Sequence, residues 1–391
     1  MAYYFIFPEK DATIYSQPDR KELNTGRDEI LELLKERGTN NQVLYPSRFL
    51  VKFKNEDIKE VIKDTVTHAG FASSSTTVNL ELTNAEGKGL VDVINIQAYA
   101  VSQSWNEGTG RWTHLPTSSN GVTWVNRINS TDATAWTTTD FGAGSSGSIS
   151  SSLITTGGGS WYTGSDFFGT QQLIPGDSLD IDIDVTTIVK KWSASLFNDT
   201  TPFDGIPNEG FLLKKPNPIE ENVSHSFGYI SYFSVDTHTI YPPKLTFKWN
   251  DQKTADIYTS SISHSLKNTT DDCILTLYGN KEEYNQNDVA RFRLHVRDKY
   301  PTRTFATSSN YLNVNYLQSS SHYSIRDAHS EEEIIPFSDD YTALSADSKG
   351  MYFNVYMKGL QPERYYRVLF RNKDEFGSTI YDNNYFFKVV R

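Results

Sequence analysis

The amino-acid sequence predicts an all-β protein built as sandwiches, and three observations carry that expectation. With 23 Tyr, 22 Phe and 7 Trp, aromatic residues reach 13% of the 391 positions, and aromatic and β-branched side chains suit a pleated, half-buried surface. Apolar residues alternate with polar ones over many short stretches, the period of a strand with one wet face. Clusters of Gly, Pro, Asn, Asp and Ser separate those stretches throughout, as the turns of a sandwich do.

Taken in order, residues 3–7 form an apolar run closed by Pro8, and an extended pattern resumes at 12–15, which predicts an N-terminus tied into a sheet. Asn24-Thr25-Gly26 marks a turn. Residues 27–37 are ambiguous: their Glu, Leu and Lys content favours helix, with Ile30, Leu33 and Leu34 at helical spacing. Phe49, Val51 and Phe53 alternate as a half-buried strand over 47–53, and Ile58, Val61 and Ile62 share one face of a short surface helix at 55–64. Strands are expected at 77–82 and 91–101, with Asn84-Ala85-Glu86-Gly87 as the turn between them. From 118 to 169 the chain is rich in Ser, Thr and Gly, with Gly157-Gly158-Gly159 inside, which predicts long adaptable loops. Leu179, Ile181 and Ile183 then alternate with Asp180, Asp182 and Asp184. Val185, Ile188, Val189 and Trp192 follow as the stripe of an amphipathic helix, capped by Asp184 or Thr186. Closing strands are expected at 211–213, 227–234 and 244–249.

The pattern restarts after a polar stretch, which divides the chain into a first domain at 1–250, a linker at 251–273 and a second sandwich at 274–391 of Ig or fibronectin-III type. Strands of the second sandwich are expected at 274–278, 290–296, 352–357, 365–370 and 385–390. Leu360-Gln361-Pro362-Glu363-Arg364-Tyr365-Tyr366 has the form of a tyrosine corner, in which the Tyr366 hydroxyl bonds back to nearby backbone and Leu360 and Pro362 shape the bend.

Composition narrows the function classes. A net charge of −11 repels phosphate backbones unless a local basic stripe overrides it, and Lys190-Lys191 and Lys214-Lys215 read as isolated pairs, so nucleic acid is not an expected partner. No apolar run approaches the ~20 residues of a membrane span, and no membrane partner is expected. The first residues lack the basic region of a secretory leader, which predicts assembly inside a cell. One cysteine, Cys273, leaves no intramolecular disulfide and reads as a small buried hydrophobe. No Gly-x-Ser-x-Gly elbow or His-Glu-x-x-His pair is present, and Gly157-Gly158-Gly159 lacks the Lys-Ser/Thr of a phosphate loop, so it reads as a flexible turn. The expectation is a non-catalytic protein without a cofactor.

Two constellations remain as binding candidates. Asp180, Asp182 and Asp184 share one strand face, where calcium is the cation they would take; a solvated face with Asp184 as helix cap is the competing and preferred reading. Trp105, Trp112, Trp124, Trp136 and Trp161 lie in or beside loops, and an exposed indole can stack on the apolar face of a sugar ring. Trp136 and Trp161, in the Ser/Gly-rich region, are the freest of them.

The order of several motifs resembles the DNRLRE-like domain, a jelly-roll family related to carbohydrate-binding modules. The matching features are Asp11 in an early strand, Asn24-Thr25-Gly26, Arg48-Phe49-Leu50-Val51-Lys52-Phe53, the Trp105 loop, Val122-Thr123-Trp124, Asp184-Val185-Thr186 with Trp192 following, and Pro243-Lys244-Leu245. They span about residues 1–250. The resemblance implies a strand rather than a helix at 27–36, and core positions for Trp105, Trp124 and Trp192. The C-terminal segment 323–366 is similar to modules in virion proteins of contractile-tailed phages, especially cyanophages. That similarity implies a virion structural protein of the neck, tail or baseplate, assembled in the host cytoplasm as a symmetric homo-oligomer in contact with other virion proteins. The alternative is a carbohydrate-binding module that adheres to polysaccharide through Trp136 and Trp161.

Overall fold

The alternating stretches become sheets. The computed structural model describes residues 2–37, 44–65, 71, 75–90, 93–113, 120–129, 132–137, 157–198, 204–216, 219–220, 228–253, 266–267, 273–301, 314–374 and 377–391. The chain is all-β and divides into two units, Ile6–Thr246 and a second made of Met1–Phe5 with Phe247–Arg391. Most of the linker expected at 251–273 lies outside the described residues. No helix among the described residues is long and apolar enough to cross a membrane.

Up to Trp249 the chain forms β1 (Ala2–Ile6), β2 (Pro8–Tyr15), β3 (Ile30–Arg37), β4 (Leu44–Phe53), α1 (Asn55–Thr65), β5 (Thr77–Leu82), β6 (Asn84–Lys88), β7 (Ile94–Ala100), β8 (Asn126–Ile128), β9 (Thr134–Ala135), β10 (Phe168–Leu173), β11 (Ile181–Asp184), α2 (Thr186–Leu196), β12 (Phe211–Lys214), β13 (Tyr229–Phe233) and β14 (Lys244–Trp249). One sheet runs β1-β14-β5-β11, and the larger runs β10-β7-β12-β4-β3-β13-β6 with β2 paired to β4. The result is a jelly-roll-like sandwich.

Residues 30–37 are strand, as the motif order implies for 27–36, and run antiparallel to β13, because cross-strand pairing of Leu31, Leu33 and Leu34 outweighs helix propensity. Two other local expectations are corrected. The supposed turn at Asn84 is strand β6, since the Asn84 amide group donates to Ser231 O at 3.0 Å and ties the segment to β13. Gly87 fits there because a Cβ would lie 2.5 Å from the Leu179 side chain. Strand β4 is buried on both faces rather than one. Its Phe49 meets the Tyr232 ring and its Phe53 the Phe211 ring, which in turn packs on Trp192 of α2, while Arg48 and Leu50 face the opposite way.

That opposite face is roofed by loops. Leu50 and Leu212 pack with Val101, Trp105, Val122, Trp124, Trp136 and Trp161 in one cluster. The turn at Asn24 holds the roof in place: its side-chain amide donates to Glu107 O at 2.7 Å and Val122 O at 2.8 Å. Its carbonyl accepts from Gly110 N at 2.8 Å. The two helices form on the stripes that the spacing predicts, with Ile58, Val61 and Ile62 buried on α1 and Val185, Ile188, Val189 and Trp192 buried on or beside α2.

The second sandwich contains β15 (Leu266–Lys267), β16 (Cys273–Tyr278), β17 (Glu283–Asn285), β18 (Val289–Asp298), β19 (Tyr316–Leu317), β20 (Ser321–Asp327), β21 (Glu333–Ile335), β22 (Ser345–Asp347), β23 (Gly350–Tyr356), β24 (Tyr365–Asp374) and β25 (Gly377–Val390). Sheet β16-β18-β23-β22 faces sheet β17-β25-β24-β20-β21. Between them lies an aromatic core in which Phe353 stacks on Phe292 at 5.2 Å and on Tyr323 at 4.3 Å. At the entry to β24, Leu360 is buried and the buried Tyr366 hydroxyl donates to Gln361 O at 2.8 Å across the half-buried Pro362, the bond of a tyrosine corner.

Candidate functional site

Arg48 is the unusual residue of strand β4. Its neighbours on that face are apolar, its side chain is 0% exposed, and it must therefore be neutralised inside the protein. Glu220, on a helical turn, does this: Arg48 Nη2 and Nε donate to Oε2 at 2.7 and 3.2 Å. Arg48 Nη1 donates to Gly158 O at 2.6 Å. The guanidinium also lies 4.8 Å from the Trp124 ring centroid and 5.1 Å from that of Trp161. Lys214, on the same face of β12, reaches Glu220 Oε2 at 3.3 Å and donates to Lys215 O at 2.7 Å.

The electrostatics follow from this crowding of cations. Burial raises the Glu220 carboxyl, but Arg48 and Lys214 outweigh it and hold the group below its ordinary value. Burial pulls the Lys215 amine down to about 7, opposed by Glu220 and reinforced by Lys35. Lys35, whose Nζ donates to Ile219 O at 2.7 Å, is drawn down to about 8 by burial, again opposed by Glu220. Arg48, Glu220, Lys214 and the indoles clamp the 219–220 turn and the Gly157-Gly158-Gly159 segment onto the sheet.

That clamp explains where the sequence-predicted residues lie. Gly157-Gly158-Gly159 is not a flexible turn: all three glycines have positive φ, and a Cβ on Gly158 would stand 2.7 Å from both Arg48 Nη1 and Trp124. Trp136 and Trp161 are corrected as sugar platforms, being only 7% and 2% exposed. Trp136 Nε1 donates to Thr123 O at 3.0 Å, and Trp161 packs on Tyr99 at 5.7 Å. Neither offers a free face. Trp105, whose Nε1 donates to Glu209 O at 2.9 Å, Trp124 and Trp192 are buried. The half-buried Trp112 carries the Arg20 guanidinium on its ring at 3.6 Å. Cys273 is buried with its sulfur 3.3 Å from the Tyr381 hydroxyl.

The aspartates form an exposed ladder, not a calcium cage. Asp180 accepts from Asn84 N at 2.7 Å and Ser178 Oγ at 2.8 Å, Asp182 accepts from Asn79 Nδ2 at 2.6 Å, and Asp184 accepts from Thr186 N at 2.8 Å. The last bond caps the first turn of α2, whose formal N-cap residue is Val185. Among the described residues no group of three or more His, Cys, Asp or Glu side chains converges to hold a metal ion.

Two surface features escape a reading by blocks of residues. Among the described residues, the exposed large hydrophobics are Val93 and Ile174 in the first unit and Tyr278 (75%), Val289 (59%), Tyr300 (81%), Tyr365, Ile380 and Phe386 in the second. A basic stripe also exists, contrary to the expectation from sequence. On β18 the residues Ala290, Phe292, Leu294 and Val296 turn inward, so Arg291, Arg293, His295 and Arg297 share the outward face. The signal is present in the sequence as a period-two alternation of basic and apolar residues. The sequence matches no known family model, and no curated protein matches it.

Proposed function

We propose that this protein is a non-catalytic structural component of a phage particle, placed at the neck, tail or baseplate, and that it works by contact with neighbouring subunits. The observation that carries this reading is the set of solvent-facing apolar side chains on the second sandwich, Tyr278, Val289, Tyr300, Tyr365, Ile380 and Phe386. Contiguous exposed apolar surface on a folded domain marks contact sites, and we read these side chains as parts of such surface on or beside the two sheets of the sandwich. The interior polar groups give complementary support: Arg48, Glu220 and Lys214 bond to one another and to backbone, a use suited to rigidity. The motif order that resembles the DNRLRE-like domain, joined to a small sandwich similar to cyanophage virion modules, supplies the particle as the setting. Adhesion to polysaccharide through Trp136 and Trp161 is set aside because both indoles are buried.

Proteomics of purified, salt-washed particles, with gold-labelled antibody against the chain, tests this reading. The chain is expected in stoichiometric amounts at one fixed place on the particle. Loss of the chain on washing, with no label on particles, would overturn the reading.

A further inference from the structure

The basic face of the second sandwich has a counterpart on the same chain. Arg291, Arg293, His295 and Arg297 stand at every second position of β18, so adjacent members are about 6.6–6.8 Å apart along the strand. Tyr278 and Tyr352 flank Arg293 in register on the neighbouring strands, and the Arg291 and Arg293 guanidinium groups lie 4.6 and 5.4 Å from the Tyr352 ring. Val289, exposed at the start of β18, adds apolar area. Asp347 engages Arg293 at 2.8 and 2.9 Å and Asn354 engages Arg291 at 3.0 Å, which fixes both side chains in place.

The acidic ladder Asp180, Asp182 and Asp184 has the same two-residue period, is exposed, and runs along and just before β11, the terminal strand of its sheet. The backbone edge of β11 is not open for strand addition. The Gln171 side chain donates to Asp180 O at 3.0 Å and accepts from Asp182 N at 2.7 Å. Contact must therefore go through the carboxylates. Glu81, beside the ladder, is balanced by Lys244 at 3.2 Å, and Asp184 has Lys190 nearby, so Asp180 and Asp182 are the stronger anionic positions.

We infer that the outward face of β16-β18-β23-β22 binds the β11 aspartate ladder of a second copy of this chain, head to tail. The occupant is chosen by charge complementarity: Asp180 and Asp182 are the acidic positions of one surface, and Arg291 and Arg297 supply the basic charge of the other, where Arg293 is already paired with Asp347. Because the two surfaces differ, the contact is heterologous, and repetition closes a ring or extends a filament. The inference rests on the reading of the protein as a particle component in several copies, and names the contact that would assemble them.

Light scattering after size exclusion, at low and at high salt, tests it on the full chain. The parent is expected to associate at low salt and to dissociate as ionic strength screens the ladders. Arg291→Glu/Arg297→Glu and, separately, Asp182→Lys each weaken association by about tenfold or more. An equimolar mixture of those two variants regains association, because the intact acidic ladder of one meets the intact basic face of the other. The neutral variant Arg291→Gln/Arg297→Gln, with circular dichroism on all variants, guards against loss of fold and is expected to weaken association less. A monomeric parent at low salt, undiminished association in the charge-reversed variants, or failure of the mixture to pair would overturn the contact. Failure here leaves the particle reading intact, since that reading is decided by whether the chain is found on washed particles.

Discussion

Replacing Glu220 by Gln isolates the buried clamp. The side chains of Arg48, Glu220 and Lys214 are 0%, 1% and 0% exposed, so none of the three charges can be rehydrated without opening the fold. The amide keeps the carboxylate's shape but removes its charge, leaving Arg48 and Lys214 without their shared partner at 2.7 and 3.3 Å. Breaking a buried ion pair from one side costs about 3–5 kcal/mol, and a unit of this size loses about 2–4 °C per kcal/mol. The expected fall in melting temperature is on the order of 10 °C. Tryptophan fluorescence reads it selectively, because of the 7 Trp only Trp249 lies outside Ile6–Thr246. The triple replacement Arg48→Met/Lys214→Met/Glu220→Leu removes all three charges and is expected to recover much of the loss. A Glu220→Gln protein that melts within about 2 °C of the parent would refute the clamp, since that shift corresponds to less than about 1 kcal/mol.

Other consequences follow from the same structure. The Lys215 and Lys35 amines, lowered by burial to about 7 and about 8 from 10.5, stay neutral where the unfolded chain takes up protons. Stability is therefore lost as pH falls from 10.5 toward those values, and the melting temperature of the first unit should rise between pH 7 and 9. Lys215→Met should flatten that rise, and a parent melting profile that falls over this window would contradict it. Tyr366→Phe removes the donor to Gln361 O and should cost about 1 kcal/mol by calorimetry; an unchanged melting temperature would deny the tyrosine corner its bond. Trp161→Ala should destabilise the first unit by about 3–5 kcal/mol in denaturant titration, whereas a mere surface platform would leave the midpoint in place.

Periodicity made the helices and many strands legible, because the stripes Ile58, Val61, Ile62 and Val185, Ile188, Val189, Trp192 have no other use. Propensity failed where pairing decides. Residues 30–37 look helical alone, and Asn84 to Gly87 look like a turn, yet β13 captures both as strands on either side of itself. The site was harder to see. Arg48 and Glu220 are 172 residues apart, and nothing local marks them as partners. The Ser/Gly context of Trp136 and Trp161 suggested exposure, but the missing Cβ atoms of Gly157 to Gly159 are what allow backbone to close over Trp124 and Arg48. The β18 ladder is written in the alternation Arg-Phe-Arg-Leu-His-Val-Arg, in which no two charges are adjacent and only the strand pleat brings them to one face.

Hydroxyl-radical footprinting of the chain, free and in assembled particles, tests most directly the claim that it acts through subunit contacts. Tyr278, Tyr300, Tyr365 and Phe386 are exposed in the free chain and should react readily there. In particles their oxidation should fall several-fold, while buried Tyr323 and Phe353 stay unreactive in both states. Equal reactivity of the four exposed aromatics in the free and assembled states would contradict the account.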